Sequence, residues 1–144
     1  MSGILVGVDG SGHSTRALEW AAREAAVRHT ALTVITVYQL MAGYSGGAVG
    51  YVGDQELANE AQAEAEKLVD KVLAGLDQAP ASVTVRGVAG LPADELLSAS
   101  AGADMIVLGS RGAGGFKRLL LGSVASQVTH HAHVPVVIIP AENF

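Results

Sequence analysis

The sequence contains no cysteine, few aromatic residues and little positive charge. The absence of cysteine excludes disulfides, thiol nucleophiles and thiolate metal ligands, and it fits a reducing cytoplasm. The 9 lysines and arginines are outnumbered by 14 acidic residues, which gives a net charge of −5. Because nucleic acids are bound through a basic face, we expect no nucleic-acid partner.

Long apolar runs and a leader sequence are missing as well. No apolar stretch approaches the roughly 20 residues that a membrane-spanning helix needs. The first ten residues, MSGILVGVDG, carry no basic side chain and reach Asp9 too early for a signal peptide. We therefore expect a soluble, cytoplasmic protein without a membrane partner, with residues 1–144 forming one domain.

Three common catalytic motifs do not occur. There is no Gly-x4-Gly-Lys-[Ser/Thr] P-loop and no Gly-x-Ser-x-Gly nucleophile elbow. The turn from Gly7 to Gly12 lacks the glycine spacing of the dinucleotide fingerprint. Any phosphate site in this chain must therefore be built differently.

Short apolar runs alternate with amphipathic stretches along the whole chain. The apolar runs predict five strands, at Ile4–Val8, Ala31–Tyr38, Ala81–Val88, Met105–Leu108 and Val136–Ile139. Helices are predicted at residues 14–29, 54–78 and 90–101, and from Gly122-Ser123 onward. This alternation is typical of an α/β fold: a doubly wound, five-stranded parallel sheet, Rossmann-like, with helices on both faces. The third strand alternates apolar and polar residues, so we expect it near an edge.

The segment Leu40–Gly53 contains five glycines and is predicted to be a long loop. Loops of this length are often either lids over a ligand or surface segments without a ligand role. The sequence favours the surface segment but leaves a lid or a partner contact open.

Glycines cluster after the fourth predicted strand, at Gly109, Gly112, Gly114 and Gly115. Glycine lets backbone N–H groups approach a ligand closely, and the start of the following helix adds unpaired N–H groups and a partial positive charge. Together these features predict a phosphate cradle. If the first and fourth strands are neighbours, the Asp9–Gly12 turn faces the same crevice.

Charged and titratable residues near this stretch have simpler explanations. Three histidines near the end of the last helix could ligate a metal, but capping of the helix end explains them adequately: His130, His131 and His133. Arg111 lies inside the glycine cluster and is a candidate phosphate contact. Lys117 and Arg118 are expected to be solvated, with neutralisation of a triphosphate as the alternative.

The spacing of Gly109-x2-Gly112, nine residues, then Gly122-Ser123 resembles the nucleotide-binding signature of the universal stress protein family, in its ATP-binding branch. The stretches VGVDGS, ADMIVLGSRG, LLLGSV and HVPVVIIP agree with it, so the resemblance covers the whole chain. It implies the adenine nucleotide alpha hydrolase-like variant of the fold, with the first and fourth strands adjacent and with ATP, possibly with Mg²⁺, as ligand.

The resemblance also implies a role for each matched position. Gly109 and Gly112 would pack against ribose and phosphates, and the set includes Ser110 and Arg111 between them. The phosphates would meet the start of the last helix at Gly122, Ser123 and Val124. Adenine would pack on three apolar positions: Gly7, Val37 and Leu108. Asp9 would contact the base, the ribose, or a metal through water, and these alternatives stay open. The stretch Val134–Ile139 resembles the family's dimerisation strand, so a homodimer is expected.

The resulting hypothesis is a dimeric, ATP-binding regulatory module of the stress response, with no catalytic residue and at most slow ATP hydrolysis. One alternative is a genuine ATPase or nucleotidyl-transferring enzyme in which Asp9 holds a metal. Another is a module that binds AMP or cyclic AMP.

Overall fold

The computed structural model describes residues 2–39, 42–45, 48–51, 54–111 and 121–140, with the backbone alone at 42–45, 48–51 and 54. The strands are β1 (Ile4–Val8), β2 (Ala31–Tyr38), β3 (Ala42–Ser45), β4 (Ala48–Tyr51), β5 (Ser82–Ala89), β6 (Met105–Gly109) and β7 (Val136–Ile139). The helices are α1 (Gly12–Arg28), α2 (Asp54–Ala74), α3 (Pro92–Ala99) and α4 (Ser123–His131). In the described ranges, no helix combines the length and the apolar character needed to cross a membrane.

Five of the strands form one parallel sheet in the order β5-β2-β1-β6-β7. β1 lies in the centre, with Ile4 opposite Leu32 of β2 on one side and opposite Met105 of β6 on the other. The predicted doubly wound parallel sheet is confirmed, including the adjacency of the first and fourth predicted strands. The strand predicted near an edge, β5, is a terminal strand. The winding direction reverses between β1 and β6, which is where ligands bind in such sheets.

Two apolar layers enclose the sheet, because successive side chains of a strand point to opposite faces. Ile4 and Val6 face α1 and α2, whereas Leu5 faces α3 and α4. The inner face of α1 consists largely of alanines with no exposed surface, which lets the helix lie close to the sheet: Ala17, Ala21, Ala22 and Ala25. Each large side chain buried in these layers contributes about 1.5–3 kcal/mol to stability.

Helix ends differ from the prediction by a few residues, for local reasons. α1 starts at Gly12 because Ser11 is its N-cap, with the hydroxyl oxygen accepting from the Ser14 N–H at 3.2 Å. α2 ends at Ala74, directly before Gly75, and not near Gln78. α3 begins with Pro92, whose missing N–H costs nothing in the first turn.

The loop prediction for Leu40–Gly53 is wrong for the residues of β3 and β4, which form an antiparallel hairpin. Ala42 lies opposite Tyr51, and Tyr44 lies opposite Val49. The glycines of this segment lower its strand propensity, so its composition resembles that of a loop. Backbone pairing between short strands does not require large side chains. The sequence feature that indicates a hairpin is the pair Gly46-Gly47, a composition typical of hairpin turns.

Candidate functional site

The carboxyl ends of β1 and β6 bring two polar turns to one edge of the sheet. β1 runs into Asp9 and the first turn of α1, and β6 ends at Gly109. A Cβ at Gly109 would lie 3.0 Å from the carbonyl oxygen of His13. The end of β6 is therefore packed directly against the backbone of the first turn of α1, and only glycine permits so close an approach.

The Asp9 carboxylate is oriented by the residue two positions further on. Its Oδ1 accepts from the Ser11 N–H at 2.9 Å and from the Ser11 hydroxyl at 2.5 Å. The Asp9 N–H in turn donates to the Ser14 hydroxyl oxygen at 3.2 Å. Such Asx turns fix a carboxylate relative to the backbone. The side chain is exposed, so the structure presents an oriented carboxylate directly after the carboxyl end of β1.

α4 begins beside the carboxyl end of β6, on the face of the sheet opposite to α1. Its N-cap, Gly122, donates its N–H to the carbonyl oxygen of Ser110 at 2.6 Å, and no side chain caps the helix. This hydrogen bond joins the two ends of the segment 111–121. The first turn holds the exposed Ser123 and the half-buried Val124, and it contains no acidic residue.

The N-termini of α1 and α3, whose side chains are also described, are less suited to an anion. α1 is capped by Ser11, and α3 carries Asp94 and Glu95 in its first turn. A phosphate approaching α3 would meet two negative charges, whereas the start of α4 offers N–H groups, the Ser123 hydroxyl and the positive end of the helix dipole.

The three apolar positions predicted to contact adenine share one face of the sheet. Gly7, Val37 and Leu108 all lie on the side covered by α3 and α4. A Cβ at Gly7 would lie 3.0 Å from Cδ2 atoms of both Leu108 and Leu96, so Gly7 lies beneath these leucines. Val37 is one residue beyond the registered pair Val8–Thr36, level with Asp9 and half-buried. Of the three, Val37 is the position aligned with the Asp9 turn.

Not every predicted residue is among those that the structure describes. Gly112 lies outside the described residues, as do Lys117 and Arg118. Arg111, half-buried, directly follows the buried Ser110.

The three histidines near the end of α4 are exposed, and the rings of His130 and His131 make an edge contact with centroids 6.1 Å apart. No group of three or more metal-ligating side chains comes together within the described ranges.

Two contacts at this end of the molecule are not predictable from the sequence pattern. The Ser14 hydroxyl bridges the Asp9 N–H and the carbonyl oxygen of Ser11, to which it donates at 3.0 Å. Arg16 donates from Nη1 to the carbonyl oxygen of Pro140 at 2.7 Å, which ties α1 to the end of β7. Serine is common near a helix start, so the presence of Ser14 only weakly indicates a contact with Asp9. No local sequence pattern predicts the hydrogen bond between Arg16 and Pro140, which lie 124 positions apart.

Comparison with known proteins gives consistent results. A family model described as the universal stress protein family matches residues 1–140. The universal stress protein Rv1996 of Mycobacterium tuberculosis (strain ATCC 25618 / H37Rv) is 37% identical over 153 aligned positions, which cover 97% of this chain and 48% of that protein. The chain thus spans about half the length of the curated relatives it matches.

Two solved structures resemble this one and contain nucleotides. A universal stress protein in complex with cAMP is 25% identical with a TM-score of 0.68, and the match covers 97% of this chain and 96% of that one. A universal stress protein from Archaeoglobus fulgidus in complex with dAMP is 26% identical with a TM-score of 0.63, covering 96% and 98%.

Proposed function

This chain belongs to the universal stress protein family, and we propose that it binds an adenine nucleotide, ATP, between the Asp9 turn and the start of α4. One observation carries the proposal: the neighbouring strands β1 and β6 end side by side, with the oriented Asp9 carboxylate on one side and the uncapped start of α4 on the other. The hydroxyl and N–H groups of a nucleoside need a hydrogen-bond acceptor, which the Asp9 carboxylate supplies. The oxygens of a phosphate need donors, which the start of α4 supplies.

The phosphates are assigned to the α4 side. The N–H groups of Ser123 and Val124 have no partner further back in the helix, as in the first turn of any α-helix, and they suit phosphate oxygens. The Ser123 hydroxyl is exposed and can donate one further hydrogen bond. Arg111 supplies positive charge at the beginning of the segment that connects β6 to this helix. Gly112 belongs to the same proposal through its position in the signature.

The nucleoside is assigned to the side of Asp9 and Val37. Val37 offers apolar surface for adenine at the level of the Asp9 turn, with Leu108 and Gly7 on the same face of the sheet behind it. The Asp9 carboxylate can accept hydrogen bonds from the ribose hydroxyls or from the base amino group. It also fits a water-mediated contact with hydrated Mg²⁺, a cation that usually retains several of its waters.

The ligands of the two solved relatives support an adenine nucleotide. cAMP and dAMP share the adenine ring and a phosphate, which are the parts that our assignment places on opposite sides of the crevice. ATP is preferred here because the signature from Gly109 to Ser123 is complete and resembles that of the ATP-binding branch. AMP and cyclic AMP are the second candidates, and the bound relatives favour them.

The proposal includes the cellular role expected of such a module. It would act in the cytoplasm as a homodimer in the stress response, through nucleotide-dependent conformation or partner binding, with at most slow hydrolysis. The dimer would form through Val134–Ile139, because β7 terminates the sheet and presents an edge on which a second copy can pair.

Equilibrium dialysis against ATP, AMP and cyclic AMP, each tested separately, measures the core of the proposal. We expect binding with ATP the tightest, and ATP identified by mass spectrometry of nucleotides that copurify with the protein. No binding of any of the three at millimolar concentration would overturn the assignment, and tighter binding of cyclic AMP or AMP would replace ATP by that nucleotide. Steady ATP turnover that Asp9→Ala removes would establish the enzymatic alternative.

Ser123→Glu separates phosphate binding from folding. A carboxylate in the first turn of α4 is favourable for the helix dipole by about 0.3–1 kcal/mol, so the fold should be maintained or stabilised. The same carboxylate would repel phosphate, and we expect ATP affinity to fall at least about tenfold. Gln127→Glu, an exposed change on the same helix with the same charge, is the matched control and should leave the affinity unchanged within about twofold. Equal affinities for the two variants would contradict the α4 assignment.

A further inference from the structure

The two edges of the five-stranded sheet differ in whether a side chain binds their backbone groups. β5 and β7 are its terminal strands, and a terminal strand presents backbone N–H and C=O groups with which a strand of another molecule can pair. A side chain of α2 reaches these groups on β5. On Val136–Ile139 no side-chain hydrogen bond is found within the described part of the chain.

The side chain on β5 is Gln62, and it holds two backbone groups at once. Its Nε2 donates to the carbonyl oxygen of Val85 at 2.7 Å, and its Oε1 accepts from the Gly87 N–H at 2.7 Å. Nε2 also donates to Glu66 Oε1 at 2.8 Å, one helical turn further along α2. Both amide hydrogens and the amide oxygen of Gln62 are therefore engaged, which fixes the carboxamide in place.

The groups that Gln62 binds point away from the sheet. Gly90, directly after β5, donates its N–H to the carbonyl oxygen of Tyr38 in β2 at 3.0 Å. Because successive residues of a strand turn their backbone groups to opposite sides, the even-numbered residues of β5 face β2 and the odd-numbered ones face outward. The carbonyl of Val85 and the N–H of Gly87 thus belong to the free edge.

The pattern of the two hydrogen bonds is that of an added strand. In a parallel sheet, a residue of the next strand donates its N–H to one carbonyl and accepts from the N–H two residues further along. Gln62 makes this pair of bonds with Val85 and Gly87, using its side-chain amide in the place of a backbone amide.

Gly87 lets α2 come close enough for this contact. A Cβ at position 87 would lie 3.4 Å from the backbone nitrogen of Gln62 and 3.6 Å from the Cβ of Ala61. α2 is therefore in van der Waals contact with the edge strand at this point, and the carboxamide lies beside the strand in a half-buried position.

We propose that Gln62 is an edge cap, which occupies the place of an added strand on β5 and prevents a second copy of this chain from pairing there. Pairing of sheets between copies is then confined to β7. An incoming strand would have to break both hydrogen bonds of Gln62 before it could form its own with Val85 and Gly87. The cap is independent of the nucleotide site, which lies at the ends of β1 and β6.

Gln62→Ala tests the cap. Alanine is the best helix former, so α2 is retained, but the edge groups of Val85 and Gly87 lose their partner. We expect sedimentation equilibrium to show species larger than those of the wild-type chain, at equal protein concentration. By amide exchange, the Gly87 N–H should exchange about tenfold faster, whereas the Val34 N–H in the neighbouring interior strand should be unchanged.

Gln55→Ala is the matched control. Gln55 lies on the same helix and uses its amide on the exposed surface, where Nε2 donates to Asn59 Oδ1 at 3.0 Å. This variant should keep the wild-type mass and the wild-type exchange of Gly87. Wild-type mass for Gln62→Ala as well would overturn the proposal.

A second substitution distinguishes edge pairing from general misfolding. Thr84 is exposed on β5, and a lysine there blocks strand addition in the way that natural edge strands do. The double variant Gln62→Ala, Thr84→Lys should return to the wild-type mass. If the larger species persist in the double variant, or if Gln62→Ala loses its folded circular dichroism spectrum, the increase in mass has another cause and the proposal fails.

Discussion

At the scale of single residues, Gly109 determines how closely β6 approaches α1. Two carbonyl oxygens would lie close to a Cβ at this position, that of His13 at 3.0 Å and that of Arg111 at 3.3 Å. Both are backbone atoms, which cannot move aside as the end of a flexible side chain can. The distance between the two turns of the proposed site therefore depends on the absence of one methyl group.

Gly109→Ala should destabilise the protein and weaken nucleotide binding together. Accommodating the methyl group requires a backbone shift, with an expected cost of about 1–3 kcal/mol in the free energy of unfolding, measured by urea denaturation. Gly12→Ala is the control, since a Cβ there meets nothing within 4 Å and the residue opens α1. Alanine should be neutral or stabilising at that helical position, by up to about 1 kcal/mol. Equal stabilities of the two variants would contradict the close contact at Gly109.

The residues around Asp9 show how far the sequence predicted the site. Ser11 lies shortly before the amphipathic stretch 14–29, and a serine at such a position is a common helix cap. Its two hydrogen bonds to the Asp9 carboxylate fix the orientation of that group, which spacing alone does not specify. The role of Ser14 depends on the chain folding back onto the end of β1. The identity and approximate position of the residues around Asp9 could be predicted from the sequence, but the orientation of the Asp9 carboxylate could not.

At the scale of secondary-structure elements, α3 fills the space in front of Gly7. Leu96, 3% exposed, packs in the layer between the sheet and α3 and α4. Its two Cδ atoms would lie 3.0 and 3.1 Å from a Cβ at Gly7, so the leucine uses the room that the glycine leaves. One buried side chain thus positions a short helix against the central strand.

Leu96→Ala should lower the free energy of unfolding by about 2–5 kcal/mol, because it removes buried apolar surface and leaves a cavity. Leu91→Ala, immediately before the same helix, removes the same atoms from a side chain that is 58% exposed. Its effect should stay within about 0.5 kcal/mol. Denaturant titration of both variants measures the difference, and similar losses would mean that α3 is not anchored through Leu96.

The elements themselves divide into those with a clear periodic signal and those without. β1, β2 and β7 have the predicted bounds because each is a largely apolar or β-branched run between polar or helix-breaking residues. β3 and β4 were missed because glycine and alanine occupy much of a segment without apolar alternation. Their pairing comes from backbone hydrogen bonds, which composition does not record.

At the scale of the whole molecule, contacts between distant segments decide what the sheet presents to its surroundings. Gln62 reaches β5 across 25 positions, and Arg16 reaches Pro140 across 124. On a helix, a glutamine or arginine at a polar position predicts only solvent exposure. These contacts, and with them the difference between the two sheet edges, emerge only once the topology has placed α2 beside β5 and α1 beside the end of β7.

The proposed nucleotide site joins the two halves of the sheet, so its occupancy should stabilise the chain as a whole. ATP at a hundredfold excess over its Kd should raise the free energy of unfolding by about 2.7 kcal/mol, because the ligand binds the folded state only. For a chain of this size the corresponding rise in Tm is roughly 5–10 °C, measurable by calorimetry. At that same ATP concentration, a tenfold loss of affinity in Ser123→Glu should remove about half of this rise, and a larger loss should remove more, whereas Gln127→Glu should keep it. If the two variants show equal rises, ATP binds away from the start of α4.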